Sequence, residues 1–491
     1  MRVVCPSRTL DRARGALRSP DYRRLLQIRL VSQFADGLFQ AALIASVVFS
    51  PENRNTTVGL AKATLVVSLP FSILGPFTGV FIDRWSRRRI MIVAPLLRSA
   101  TVALVLFDPA RVPVPFYAGA LAVLSANRFF LATAQAVVPR LVPTDDLLIA
   151  NSLATVGGTV ALLAGVFFGG QIAQVVGGGP IVAGSALGWL LASAVAARIG
   201  SDLSPLADEE RPRLLRYEIR RVADEFRDGI GRLAHAPRAL GPITAITLDQ
   251  IGEGIMLTLS LVVFRERFRE GVGSFSWLIG AGGVGVMVGL ATVGALEDRF
   301  RKERIVAGSF FASGLWLLLL ALHVTGWSVL LASFVVGATF AWKKIPIDTL
   351  VQESLPDRFR GRVFAVYDVA YNGARIAAAL VAIPLFKSVS PAWTSAIVGV
   401  AFVCWTPALP RWIEKVPEIR LRFVEGARAQ EWPRAVLWGG VEEQVEVERS
   451  WLDERDEVRR RRFRLRLQDG TRLDVSQLEP EGPWRLDEER S

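Results

Sequence analysis

The stretch Gly79-Val80-Phe81-Ile82-Asp83-Arg84-Trp85-Ser86-Arg87-Arg88-Arg89-Ile90 leaves one apolar run, passes a carboxylate and a basic cluster, and enters another apolar run. A second version stands at Gly294-Ala295-Leu296-Glu297-Asp298-Arg299, completed by Arg304-Ile305, at an offset of 215 residues (294 − 79). The same offset carries Gly37 onto Gly252 and Val47-Val48-Phe49 onto Val262-Val263-Phe264. Separate landmarks that share one shift mark an internal duplication, so the chain is expected to hold two related halves.

Around these loops lie apolar runs of the length a helix needs to cross a bilayer, about 20 residues at about 1.5 Å each. They cover 25–49, 58–82, 90–107, 114–137, 147–176 and 181–199, then 240–264, 275–296, 305–324, 328–350, 363–386 and 393–413. The expected fold is an all-α membrane protein of twelve transmembrane helices in two six-helix repeats, with a small β-rich tail. Its parts are a basic N-terminus (1–24), an N-terminal half (25–199), a basic linker (200–239), a C-terminal half (240–413) and the tail (414–491). The composition agrees: 51% of the 491 residues are hydrophobic and the mean hydropathy is +0.35.

Basic residues set the orientation. Arginines crowd the N-terminus, the 84–89 loop and the 200–239 linker, whereas Gly177-Gly178-Gly179-Pro180 and Thr325-Gly326 carry no charge. The positive-inside rule then places both ends and the linker in the cytoplasm, with 265–270, of mixed charge, outside. The first apolar run is long enough to span and lacks an evident small-residue cleavage site, so it reads as a span and not as a signal peptide. Arginine-rich loops without paired cysteines fit a bacterial inner membrane.

The Gly-x-x-x-Asp-Arg loop with its basic cluster resembles the signature loop of the major facilitator superfamily, and the 294–304 copy falls where that family has its second one. Val142-Pro143-Thr144-Asp145-Asp146 with Ala150-Asn151-Ser152, and the stretch from Leu355-Pro356-Asp357-Arg358 to Gly361-Arg362-Val363, resemble segments of its proton-driven drug and siderophore exporters. The likeness covers roughly 20–413. It implies alternating access, with Asp83 accepting N–H groups at the start of the eleventh span, and Arg84 and Arg88 completing a cytoplasmic gate. Gly79, Gly294, Asp298 and Arg299 belong to the same paired motif. In the fifth span Gly165-Val166-Phe167-Phe168-Gly169-Gly170 resembles the family's antiporter motif, with valine where proline is usual. Gly165, Gly169 and Gly170 still allow close helix packing.

Ionisable residues inside apolar spans are costly and so mark function by default. They are Asp36 in the first span, Arg128 in the fourth, Asp249 and Glu253 one turn apart in the seventh, Lys343 and Lys344 in the tenth, and Asp368 and Arg375 in the eleventh. In the superfamily the first, fourth, seventh and tenth helices line the cavity, so most of these groups are expected to face inward. Asp36 and Glu253 read as protonation sites with Arg128 and Arg375 as countercharges, or as static salt bridges. Asp348 and Asp368, nearer the cytoplasmic edge, fit a structural role.

From 414 onward acidic residues outnumber basic ones by 19 to 16. Arg462-Phe463-Arg464-Leu465-Arg466-Leu467 alternates with period two, and Asp469-Gly470 supplies a hairpin turn into 471–475; 435–438 and 444–451 read as further strands. The run 459–462 reads as a solvated strand face, so no nucleic-acid partner is expected. Gly280-Ala281-Gly282-Gly283-Val284-Gly285 matches a dinucleotide fingerprint formally but sits inside a span, where small residues pack helices. There is no phosphate-binding Gly-x-x-x-x-Gly-Lys-Ser/Thr, and two histidines leave little for a metal or hydrolase site. The expectation is a transporter and not an enzyme. It needs neither cofactor nor metal, and its partners are protons, a small amphipathic molecule and the bilayer. A transporter-like receptor reporting through the tail, whose partner is open, is the alternative, as is an importer or lipid transporter.

Overall fold

The computed structural model describes residues 15, 17–47, 85–106, 113–143, 146–200, 220, 223–224, 226–231, 233, 237–263, 271–354, 357–413, 420–424, 432–438, 441–455, 458–467, 472–478 and 485–490. The expected second span, with Gly79, Asp83 and Arg84, lies outside them.

Helices occupy the other expected runs. In the N-terminal half these are α1 (Pro20–Val47), α2 (Arg87–Thr101, continued as a 3-10 turn over Val102–Leu106), α3 (Pro113–Leu141), α4 (Leu147–Val176) and α5 (Gly178–Ala196). The C-terminal half holds α6 (Pro237–Val262), α7 (Val272–Glu297), α8 (Lys302–Leu322), α9 (Gly326–Glu353), α10 (Asp357–Ser388), α11 (Pro391–Trp405) and the short α12 (Leu409–Ile413). The run 393–413, read as one span, is two helices separated at Thr406-Pro407-Ala408, where Pro407 has no N–H to continue the ladder. Among the described residues seven helices are long and apolar enough to cross a membrane: α1, α3, α4, α5, α7, α8 and α9. Large apolar side chains such as Val175, Leu187, Leu322 and Trp327 point outward, a surface that suits lipid and not water.

The duplication shows in the packing plan. α1 packs on α4 as α6 packs on α10, α2 on α5 as α8 on α11, and α2 on α3 as α8 on α9. Each half keeps its own apolar core. Ile246, Phe310, Leu317, Ile347 and Phe402 belong to the C-terminal one, and Phe39, Phe116, Phe130 and Trp189 lie in two clusters of the N-terminal half. The halves meet chiefly where α4 crosses α7.

Beyond α12 the chain forms one antiparallel sheet in sequence order, β1 (Arg420–Val424), β2 (Trp432–Trp438), β3 (Val441–Arg455), β4 (Val458–Leu467), β5 (Arg472–Leu478) and β6 (Arg485–Arg490). β1 and β6 are additions to the expected strands. Alternation works as anticipated on β4, whose Phe463, Leu465 and Leu467 are buried with Val436, Leu473 and Val475. On the other face Arg464 forks onto the directly opposite Asp474 at 2.7 and 2.8 Å.

Candidate functional site

In the N-terminal half α1 presents Ser32 and Asp36 one turn apart, toward α2 and α5. Arg98 of α2, fully buried, pairs with the Asp36 carboxylate and donates through Nη1 to Ser32 Oγ at 3.0 Å. Trp189 of α5 donates from Nε1 to Asp36 Oδ1 at 3.0 Å, and the Arg98 guanidinium lies 4.2 Å from the Trp189 ring centre. Phe39 closes the other side of that ring, edge-on at 5.5 Å. One carboxylate meets one guanidinium, and the site is sealed.

The C-terminal half builds a different cluster from α6 and α9. Lys343, fully buried, contacts Asp249 Oδ1 at 2.5 Å and Glu253 Oε1 at 3.1 Å. Gln250 donates to the other Glu253 oxygen at 3.1 Å. Phe310 of α8 and Phe402 of α11 stand 5.2 and 5.7 Å from the Lys343 ammonium. Asp249 is as buried as the lysine, whereas Glu253 keeps 18% of its side chain exposed. Two carboxylates thus share one ammonium, and the more exposed carboxylate sits at the edge.

These placements correct the expected pairings. Asp36 pairs with Arg98, not Arg128, and Glu253 with Lys343, not Arg375. Asp36, Asp249 and Lys343 lie inside their own halves instead of lining the space between them. The reason is helix rotation: Asp36 is on the face of α1 that packs on α5 and receives the Arg98 side chain from α2, and Asp249 is on the face of α6 that meets α9. Arg98 was missed; the available signal was an arginine within an apolar run. Arg128 of α3 instead reaches across the halves to Asp368 of α10, at 4.0 Å. Asp348 is held by Lys344 at 2.7 and 2.6 Å and by the Tyr367 hydroxyl at 2.7 Å. Arg375 is exposed on α10.

The glycine motif of α4 lies at two crossings. A Cβ on Gly165 would strike the Phe34 carbonyl of α1, and one on Gly169 would come 2.9 Å from Ala41 Cβ. Gly170 faces the other half, where a Cβ would come 2.5 Å from Ser276 Cβ of α7. Beside it Gln171 Nε2 donates to Gly273 O and Ser276 Oγ, both at 2.7 Å, and Phe167 meets Trp277 edge-on at 4.8 Å. Of the loop residues, Arg88 donates to the Ala197 carbonyl at 2.7 Å, satisfying the C-terminal end of α5 within its own half. Gly294 is in the last turn of α7, with Asp298 and Arg299 exposed just beyond it, and Lys302 pairs with Glu353 at the end of α9. Among the described residues no group of three or more His, Cys, Asp or Glu side chains is placed to hold a metal.

Two helical halves with a shared packing plan, buried charges in each and a seam between them give the architecture of a transporter of the major facilitator fold. Residues 15–409 match the transmembrane secretion effector family of that superfamily, and the chain belongs to it. It is 28% identical over 363 residues to an uncharacterized MFS-type transporter of Mycobacterium tuberculosis, covering 72% of this chain and 82% of that one. Over 120 residues, 24% of this chain and 29% of the relative, it is 32% identical to macrolide efflux protein A of Streptococcus pyogenes. The structure of a D-xylose–proton symporter superposes with a TM-score of 0.58 at 15% identity, over 78% of this chain and 97% of that one.

Proposed function

We propose that this protein works by alternating access across a twelve-span bundle and exports a small amphipathic molecule in exchange for protons, from a bacterial inner membrane with both termini cytoplasmic. The observation that carries the coupling is the Asp249–Lys343–Glu253 cluster. One ammonium against two carboxylates leaves a negative charge in excess, and an uncompensated charge inside a span is expensive. A proton on one carboxylate removes it. Glu253, at the exposed edge, exchanges that proton with water, and Asp249 keeps Lys343 in place. Because Glu253 and Lys343 stand on different helices, the proton changes how α6 and α9 attract one another and so biases the conformation.

In this orientation the α4–α7 contacts around Gln171 and Phe167 close the outer end. The paired loops with Gly79, Asp83, Arg84 and Arg88, and with Gly294, Asp298 and Arg299, gate the cytoplasmic end. Export is supported by the macrolide efflux relative. The test is accumulation of fluorescent amphiphiles in cells without their own exporters, with and without an uncoupler. Lower accumulation that is lost both with the uncoupler and in Glu253→Gln supports the reading. Export indifferent to both removes the coupling. Truncation after Ile413 separates a transporter, which keeps activity, from a receptor that speaks through the sheet.

A further inference from the structure

We propose that Gln171 and Ser276 form a hydrogen-bonded latch that sets how often the outer end of the molecule opens, so that the resting protein is closed outside and parted on the cytoplasmic side. This rests on alternating access in the orientation proposed above, and adds which contact holds the resting state.

α4 and α7 run antiparallel across the seam, and their contacts keep one register. Leu163 lies on Gly283, Phe167 on Gly280 and Trp277, Gly170 on Ser276, and Gln174 on Gly271 and Gly273. All of these α4 residues belong to its outer half. Carried on toward the cytoplasm, the same register would bring Val156 to Leu290 and Ser152 to Gly294. Yet Val156 and Val160 are 37 and 44% exposed, and a Cβ on Gly294 would meet nothing within 4 Å. The two helices therefore form a V that is joined at its outer end.

Polar groups hold that joint inside an otherwise apolar seam. Gln171 Nε2 spends its two protons on Gly273 O and Ser276 Oγ, each at 2.7 Å, and the Ser276 hydroxyl donates in turn to Gly273 O at 2.6 Å. Ser276 is buried, so parting the helices breaks both Gln171 bonds before water can replace them. The backbones come this close because Gly170 has no side chain to set against Ser276. The duplicated scaffold does not itself require the latch: at the 215-residue offset Ser276 corresponds to Ala61 and Gln171 to Phe386, which cannot make these bonds. Val156 and Leu290, which would close the other end, offer apolar contact alone. The two closures thus differ in kind, and Gln171 tilts the balance between them.

The test is disulfide trapping in the purified full-length protein in nanodiscs, in a background of Cys5→Ser and Cys404→Ser. Gln174→Cys with Gly271→Cys reports the outer closure, and Val156→Cys with Leu290→Cys reports the cytoplasmic one. In Gln171→Leu the ratio of cytoplasmic to outer cross-linking should rise about tenfold, as expected for two lost hydrogen bonds. Gly170→Ala, which wedges the same crossing apart and leaves Gln171 in place, should move the ratio the same way. An unchanged ratio in Gln171→Leu, a fall in Gly170→Ala, or a cytoplasmic pair that cross-links in no variant overturns the proposal. If Gln171→Leu does not fold, Ser276→Ala decides, since it removes one of the two acceptors and should raise the ratio about threefold. Alternating access fails separately. Export by cells whose protein is cross-linked at the outer pair removes that reading, whereas an unchanged ratio in a protein whose export either cross-link blocks removes the latch alone.

Discussion

The two halves descend from one repeat and pack their helices by one plan, yet they bury charge differently. The N-terminal half matches one carboxylate, Asp36, to one guanidinium, Arg98, and seals the pair with Trp189 and Phe39. The C-terminal half gives Lys343 two carboxylates and leaves one of them partly exposed. A balanced, closed pair has nothing to gain from a proton, as a fixed strut would require. An unbalanced, half-open cluster changes its net charge with every proton it takes. The halves share a packing plan, and the count of buried charges is what separates them.

The largest expected effect comes from Lys343→Leu, which strands the buried Asp249 carboxylate beside the partly exposed Glu253 and should cost about 3–5 kcal/mol, read as a collapse of the thermal unfolding temperature of the purified protein. Adding Asp249→Asn should restore much of the stability but not uncoupler-sensitive transport. Arg98→Leu should cost a similar amount by leaving Asp36 unpaired, yet here Arg98→Leu with Asp36→Asn should recover both fold and transport. Transport lost from that stable double variant would break the comparison, since the N-terminal pair would then be more than a strut. Smaller is Gly165→Ala, whose methyl group has to displace the α1 backbone at Phe34, at about 1–3 kcal/mol and with slowed transport. Smallest is Trp189→Phe, which deletes the hydrogen bond to Asp36 and should cost about 1 kcal/mol, visible as a modest shift in melting with transport rate retained.

Much of this was legible before any coordinates. The 215-residue offset declared the repeat, because helix packing conserves spacing between landmarks. The length of the apolar runs marked helices, seven of which, among the described residues, are long and apolar enough to span, because hydrocarbon thickness sets the length a span needs. Period two in 462–467 declared a strand, because side chains alternate across a sheet. β1 and β6 carried no such signal: Arg420-Leu421-Arg422-Phe423-Val424 is short, and Arg485-Leu486-Asp487-Glu488-Glu489-Arg490 is almost wholly charged. They are strands because neighbouring strands offer unpaired backbone groups.

The sequence by itself determined which residues are costly inside the membrane: Asp36, Arg128, Asp249, Glu253, Lys343 and Arg375 all stand out against apolar neighbours, since each needs a partner or water. Only the tertiary structure decided who that partner is. A residue's position along a helix sets its depth, but the rotation of the helix, fixed by contacts such as Gly37 on Gly165 and Gly254 on Ala378, sets which neighbour it faces. That is why Asp36 meets an arginine 62 residues away on α2 instead of Arg128, why Glu253 meets Lys343, and why Arg128 is turned toward Asp368 across the seam between the halves.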